Sequence, residues 1–143
     1  FDLRIDHDFL AVICACSQRC TDESTWITPD MINAYVDLHR AGVAHSVECY
    51  QDEELVGGLY GLCFGSMFFG ESMFHRTTDA SKVAFAHLMH MMHEAGSSLV
   101  DCQLTNPHLL SLGAIELPRS RYRQILEQHV NDPEIDWTAF TST

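Results

Sequence analysis

Three side chains that can hold or move a proton stand where the sequence is otherwise apolar. Asp101 and Gln103 interrupt the run Leu-Val-Asp-Cys-Gln-Leu at 99–104. Side chains alternate along a strand, so these two polar groups share one face and Val100 and Cys102 share the other. Glu71 is placed in the same manner, and a period of two groups it with Met67, Phe69 and Met73. A buried carboxylate without a partner costs several kcal/mol. Each acid therefore either belongs to a hydrogen-bonded network or meets a substrate, and the residues alone leave both readings open. Two carboxylates close together raise one another's pKa, which suits one of them to take up a proton.

Two other sets have ligand chemistry. Cys14, Cys16 and Cys20 fall on or beside a predicted helix at spacings that scatter them around its axis, and His87, His90 and His93 step by three, drifting about 60° each time. Zinc proteases need His at i and i+4 with Glu beside the first, so a metal is not expected. The six cysteines, with Cys49, Cys63 and Cys102, mostly occupy apolar positions and none is paired as in a zinc ribbon. They read as reduced thiols of a cytoplasmic protein. Between the predicted third strand and long helix, Arg-Thr-Thr-Asp-Ala-Ser-Lys at 76–82 has no glycine. It offers few open amides to a coenzyme pyrophosphate, and no cofactor is expected.

These residues need a scaffold, and 143 residues suffice for one domain with an ordinary core. No apolar run approaches the roughly 20 residues needed to cross a bilayer, so no membrane partner is expected. Twenty acidic against eight basic residues give a formal charge of -12. Such a chain repels phosphate backbones at long range, and any RNA must be gripped locally. The start at Phe1, in what reads as a strand over 1–5, has the look of a piece of a longer protein.

Asp6 or Asp8 caps a first helix through about Gln18, with Phe9, Val12, Ile13 and Cys16 at helical spacing. Thr28-Pro29-Asp30 opens a second: the threonine caps, proline needs no N–H in the first turn, and the aspartate meets the positive end of the dipole. Gly42 ends it. An antiparallel meander follows at 45–51, 55–64 and 67–74, with Gly57-Gly58 marking a bulge or a close approach by a ligand or another backbone. Asp79 is the expected cap of a long helix over 80–94, before the strand at 99–104. A short helix over 107–112 capped by Thr105 or Asn106, an extended segment at 113–117 and a helix from Pro118 to about Gln128 complete the pattern. The last carries Arg119, Arg121 and Arg123, the one basic cluster of the sequence. Residues 131–143 read as an acidic loop holding Trp137 and Phe140.

That order is the order of an α/β (α+β) fold of the N-acetyltransferase-like type, a splayed mixed sheet flanked by helices. Six segments carry more than the order: Trp-Ile-Thr-Pro at 26–29, Ala-His-Ser-Val-Glu at 44–48, Leu-Val-Gly-Gly-Leu-Tyr-Gly at 55–61, Gly-Glu-Ser-Met-Phe at 70–74, Asp-Cys-Gln at 101–103 and Ser-Leu-Gly-Ala at 111–114. In order and interval they resemble the leucyl/phenylalanyl-tRNA–protein transferase family, over nearly the whole chain to about Arg123. The resemblance implies transfer of Leu or Phe, and Met less well, from the 3′ end of aminoacyl-tRNA to proteins that begin with Arg or Lys, which marks them for the N-degron pathway. It implies that Asp101 and Gln103 are the reaction-centre pair, that Glu71 faces the same cleft, and that Trp26 lines the site of the terminal adenosine. It further implies a side-chain pocket of Leu59, Met73, Leu88 and Met92, with Asn106 a further substrate contact. Leu88 and Met92 stand where members of the family can carry larger aromatics, and the family's N-terminal part is expected as a missing partner. Two other readings stand beside this one: a non-enzymatic module that binds N-terminal peptides, and an acyltransferase of the same fold with another donor.

Overall fold

A computed structural model describes residues 1–18, 27–97, 99–103 and 107–141. Trp26, Cys20 and Asn106 lie outside the described residues, as does the proposed cap Thr105. The chain opens with β1 (Asp2–Ile5) and α1 (Phe9–Gln18). Asp8 caps α1 by accepting the Ala11 N–H at 3.1 Å. Asp6 instead turns its carboxylate to the Ser46 N–H, at 2.8 Å, and to His45. α2 (Pro29–Arg40) starts as its sequence requires, with Thr28 Oγ1 accepting the Met31 N–H. Beyond its end Gly42 takes a positive φ of 83°, and the chain reverses into β2 (Ala44–Gln51).

β2, β3 (Glu54–Phe64) and β4 (Met67–His75) form the antiparallel meander. α3 (Ala80–Glu94) then crosses one face and delivers β5 (Leu99–Asp101) parallel to β4, giving a mixed sheet in the order β1-β2-β3-β4-β5. Each face carries a core. Val47, Leu59 and Phe68 meet Ala84, Phe85, Leu88 and Met92 of α3 on one side. Tyr60, Phe74 and Ala44 meet α1 through Phe9, Val12 and Ile13 on the other, with Tyr35 and Ile32 of α2 packed against them.

Several expectations are corrected. Asp79 does not cap α3 with its side chain: it adopts φ 67°, a left-handed conformation that Asp tolerates, and its carboxylate lies 3.5 Å from Lys82. The strand expected over 99–104 stops at Asp101, because Gln103 turns to φ 65° and leaves the ladder. Residues 113–117 form no strand, so the sheet ends at β5. After α4 (Pro107–Ser111) and α5 (Arg119–His129), the expected C-terminal loop contains α6 (Thr138–Thr141). Trp137 at its start is 5% exposed and stacks on His45 at 4.1 Å.

Two irregularities open the sheet. Tyr60 pairs with Ser72 and Gly61 with Gly70, so Glu71 is an extra residue with no partner on β3. Past this bulge the alternation of faces reverses: Phe68 and Met73, five apart, both pack on the α3 side. Glu71 therefore does not share a face with Met73, contrary to the simple period of two. β5, for its part, pairs with β4 only from Met67 to Phe69. Beyond Phe69 β4 runs on without it, because β5 ends at Asp101.

Candidate active site

Around the end of β5 lies a groove of about 1170 Å³, walled also by α3, residues 112–117 and the start of α5. Glu71 reaches it from the bulge of β4, and Asp101 from the last position of β5. Gln103 follows from the turn, held left-handed at a cost of about 1–2 kcal/mol for a residue with a Cβ. Asp101 offsets part of that cost: its Oδ1 accepts the Gln103 N–H at 2.7 Å, closing an Asx turn. Its Oδ2 accepts the hydroxyl of Tyr122, from α5, at 2.5 Å. The Gln103 side chain then reaches back to β4, donating Nε2–H to the Gly70 carbonyl at 2.8 Å. Tyr35 of α2 stands near enough to Glu71 for each to shift the other's titration.

The electrostatics follow from this packing. Burial pushes the Glu71 carboxyl above the usual carboxylate range and the neighbouring Asp101 charge adds to the rise, while Gln103 and Tyr35 pull it back. Burial and the bond to Asp101 push the Tyr122 phenol up to about 12, so it keeps its proton and donates. Cys102, between Asp101 and Gln103 in the chain, lies on the same groove. Burial, then the Asp101 charge, push its thiol up, and it packs against the α3-side core. The arrangement can hold a cation between two acids and present a fixed carboxylate to a proton donor.

Of the residues singled out from the sequence, Glu71, Asp101, Gln103 and Met92 line this groove. Leu59 and Leu88, 3% and 1% exposed, lie in the α3-side core, and Met73 packs against the same core. None of these three is on the groove wall; the bulge that aims Glu71 into the groove is what turns Met73 away from it. Tyr122 and Phe85, also on the wall, are not among the residues the sequence singles out, while Phe69 and Arg119 are named there only as a strand neighbour of Glu71 and as part of the basic cluster. The helix start at Pro118 is a local signal, but nothing local shows that a tyrosine will meet an aspartate 21 residues earlier. Among the described residues no group of three or more His, Cys, Asp or Glu could hold a metal ion. No described helix is long and apolar enough to cross a membrane.

A five-stranded mixed sheet in this order, with a bulge in its fourth strand and polar groups gathered where the fifth ends, is an N-acetyltransferase-type fold. A ribosomal-protein-alanine N-acetyltransferase from Brucella melitensis biovar Abortus 2308 shares it with a TM-score of 0.60 at 15% identity, over 82% of this chain and 93% of that one. An aminoglycoside N-acetyltransferase solved in complex with CoA does so with a TM-score of 0.59 at 15% identity, over 82% and 90%. Within this fold the chain belongs to the leucyl/phenylalanyl-tRNA protein transferase family, whose model matches residues 1–127. The leucyl/phenylalanyl-tRNA–protein transferase of Ectopseudomonas mendocina is 50% identical over 141 residues, which are 97% of this chain and 62% of the relative. That of Hahella chejuensis is 53% identical over 126 residues, 87% and 54% respectively. The chain thus spans 54% to 62% of the length of these two curated relatives.

Proposed function

We propose that this chain carries the reaction centre of an aminoacyltransferase that moves Leu or Phe, and Met less well, from the 3′ end of aminoacyl-tRNA to the N-terminal Arg or Lys of cytoplasmic proteins, tagging them for the N-degron pathway. The observation that carries the reading is the opening of Glu71 and Asp101 onto one groove with an apolar wall at Met92 and Phe85. An N-terminal Arg or Lys brings two cationic groups, and two carboxylates in one cleft receive them. The apolar wall suits a Leu or Phe side chain, with Leu59, Met73 and Leu88 backing it from the core.

An aminoacyl ester is already activated, so the protein has to hold ester and amine together and manage one proton. An α-amine has a reference pKa of about 8, so most of it is protonated at neutral pH. The neutral minority attacks the ester carbonyl, and Asp101 takes a proton from its nitrogen as the C–N bond forms. That proton passes to the tRNA 3′-oxygen, which leaves as a hydroxyl when the ester C–O bond breaks. Gln103 donates its amide nitrogen to the Gly70 carbonyl, which leaves its carbonyl oxygen to orient the amine N–H. Trp26 and Asn106 enter through the family resemblance, as contacts of the terminal adenosine and of the substrate. Arg119 on the groove wall, with Arg121 and Arg123 on α5, offers local positive charge to RNA in a chain of net charge -12. At the start of α3 the negative Asp79 stands where a coenzyme pyrophosphate would need amides, which disfavours such a donor.

The test is transfer of labelled leucine from Leu-tRNA to an Arg-starting peptide, by a protein of the relatives' full length that carries this chain. Label in the peptide, absent when the peptide begins with Ala, supports the reading. Binding of the Arg peptide without transfer would make the chain a peptide-binding module instead.

A further inference from the structure

The reaction-centre pair is held from outside the sheet. α5 lies beyond the last strand, and Tyr122 reaches from it to Asp101 Oδ2 at 2.5 Å while Asp101 Oδ1 takes the Gln103 N–H at 2.7 Å. A carboxylate bonded at one oxygen alone can rotate about its Cβ–Cγ bond; bonded at both, by groups on different elements, it has one orientation. The orientation matters because Gln103 sits at φ 65°, which a residue with a side chain keeps only when its surroundings hold it there. From that turn, and not from an extended strand, the Gln103 amide reaches back to the Gly70 carbonyl.

We propose that Tyr122 is a positioning residue of this site: its hydroxyl locks the Asp101 carboxylate, the locked carboxylate holds the left-handed turn at Gln103, and the turn aims the Gln103 amide back to β4. Tyr122 itself neither gives nor takes the proton of the reaction; its bond is to Asp101. Its effect on transfer is exerted through Asp101 and Gln103, and this part of the inference rests on the aminoacyltransferase reading. The clamp itself does not. The same bonds run from α5 through β5 to β4 whatever the groove receives. Because the phenol keeps its proton until far above neutrality, the clamp persists across the working pH range of a protein.

Tyr122→Phe removes the hydroxyl and little else. In the full-length protein, turnover should fall about tenfold with the KM for Leu-tRNA changed less than about twofold, since an orienting bond and not a binding surface is lost. In a Gln103→Ala background the same change should cost almost nothing further, because the group it positions is gone. Backbone amide exchange reads the clamp without any reaction: the Gln103 N–H should exchange about tenfold faster in Tyr122→Phe, with the amides of β2 and β3 unchanged. Losses from Tyr122→Phe and Gln103→Ala that simply multiply, or an unchanged Gln103 exchange rate, would overturn the proposal. If the wild-type protein transfers nothing, the aminoacyltransferase reading fails, and the exchange measurement alone decides the clamp.

Discussion

Glu71 is a half-buried carboxyl whose neighbours pull its proton in opposite directions. Burial and Asp101 favour keeping it; Gln103 and Tyr35 favour losing it, and the outcome is a pKa above the ordinary range. A cationic substrate group is attracted only by the ionised form. The attraction is therefore present at pH above the raised value and is lost as pH falls through it. In peptide transfer assays the KM for an Arg-starting peptide should rise as pH is lowered from about 8 to about 5. Glu71→Gln should raise that KM about tenfold at neutral pH, the scale of one hydrogen bond to a charged group, and flatten its pH dependence. The KM for Leu-tRNA should stay as it was. Equal losses for peptide and tRNA would assign Glu71 to the fold instead of to the acceptor site.

At the scale of elements the site depends on the β4 bulge, and the bulge depends on glycine. A Cβ on Gly61 would lie 2.3 Å from the Phe69 carbonyl oxygen and 2.6 Å from the Phe68 ring, so β4 could not keep its place beside β3. Gly61→Ala should lower stability by about 1–3 kcal/mol in urea unfolding, and should displace Glu71 as well, weakening the Arg peptide more than the tRNA. Unchanged stability would mean that β4 yields freely, and the bulge would then not be what aims Glu71. Such contacts explain what was legible beforehand. Caps, helix starts and strand runs depend on neighbours in sequence, so Thr28-Pro29-Asp30, the meander and the long helix were readable. The close approach at Gly57-Gly58 was readable too, and the structure supplies the neighbour: a Cβ on Gly57 would lie 2.5 Å from the Cβ of Ala80 at the start of α3. The extra residue at Glu71 was not readable, since its register is set by Gly61 and Gly70 across two strands. A two-residue period carried past it puts Met73 on the wrong face. Trp137 was missed as core for the same reason, because the His45 ring it covers is 92 positions away.

For the molecule as a whole, the two cores leave one acid in a position that couples stability to pH. Glu48 on β2 is fully buried, and its Oε2 accepts the Ser46 hydroxyl at 2.6 Å and the Asp8 N–H at 3.0 Å, tying β2 to the start of α1. Burial pushes its pKa above 4.5 despite those two hydrogen bonds. Below pH 4.5 the group is protonated both folded and unfolded, and its titration costs nothing. As pH rises, the unfolded chain releases this proton while the folded one retains it, so stability falls by up to about 1.4 kcal/mol per pH unit until the folded value is passed. Glutamine keeps the shape and an acceptor oxygen for the same donors, and it cannot ionise. Glu48→Gln should match the wild type near pH 4.5 and become progressively more stable than it as pH rises toward 8, in urea midpoints measured across that range. The comparison isolates one residue, because every other titrating group is common to both proteins. Parallel curves would show that Glu48 ionises as easily inside the fold as outside it, and a variant less stable at every pH would show that the carboxylate's bonds to Ser46 and Asp8 outweigh the cost of burying its charge.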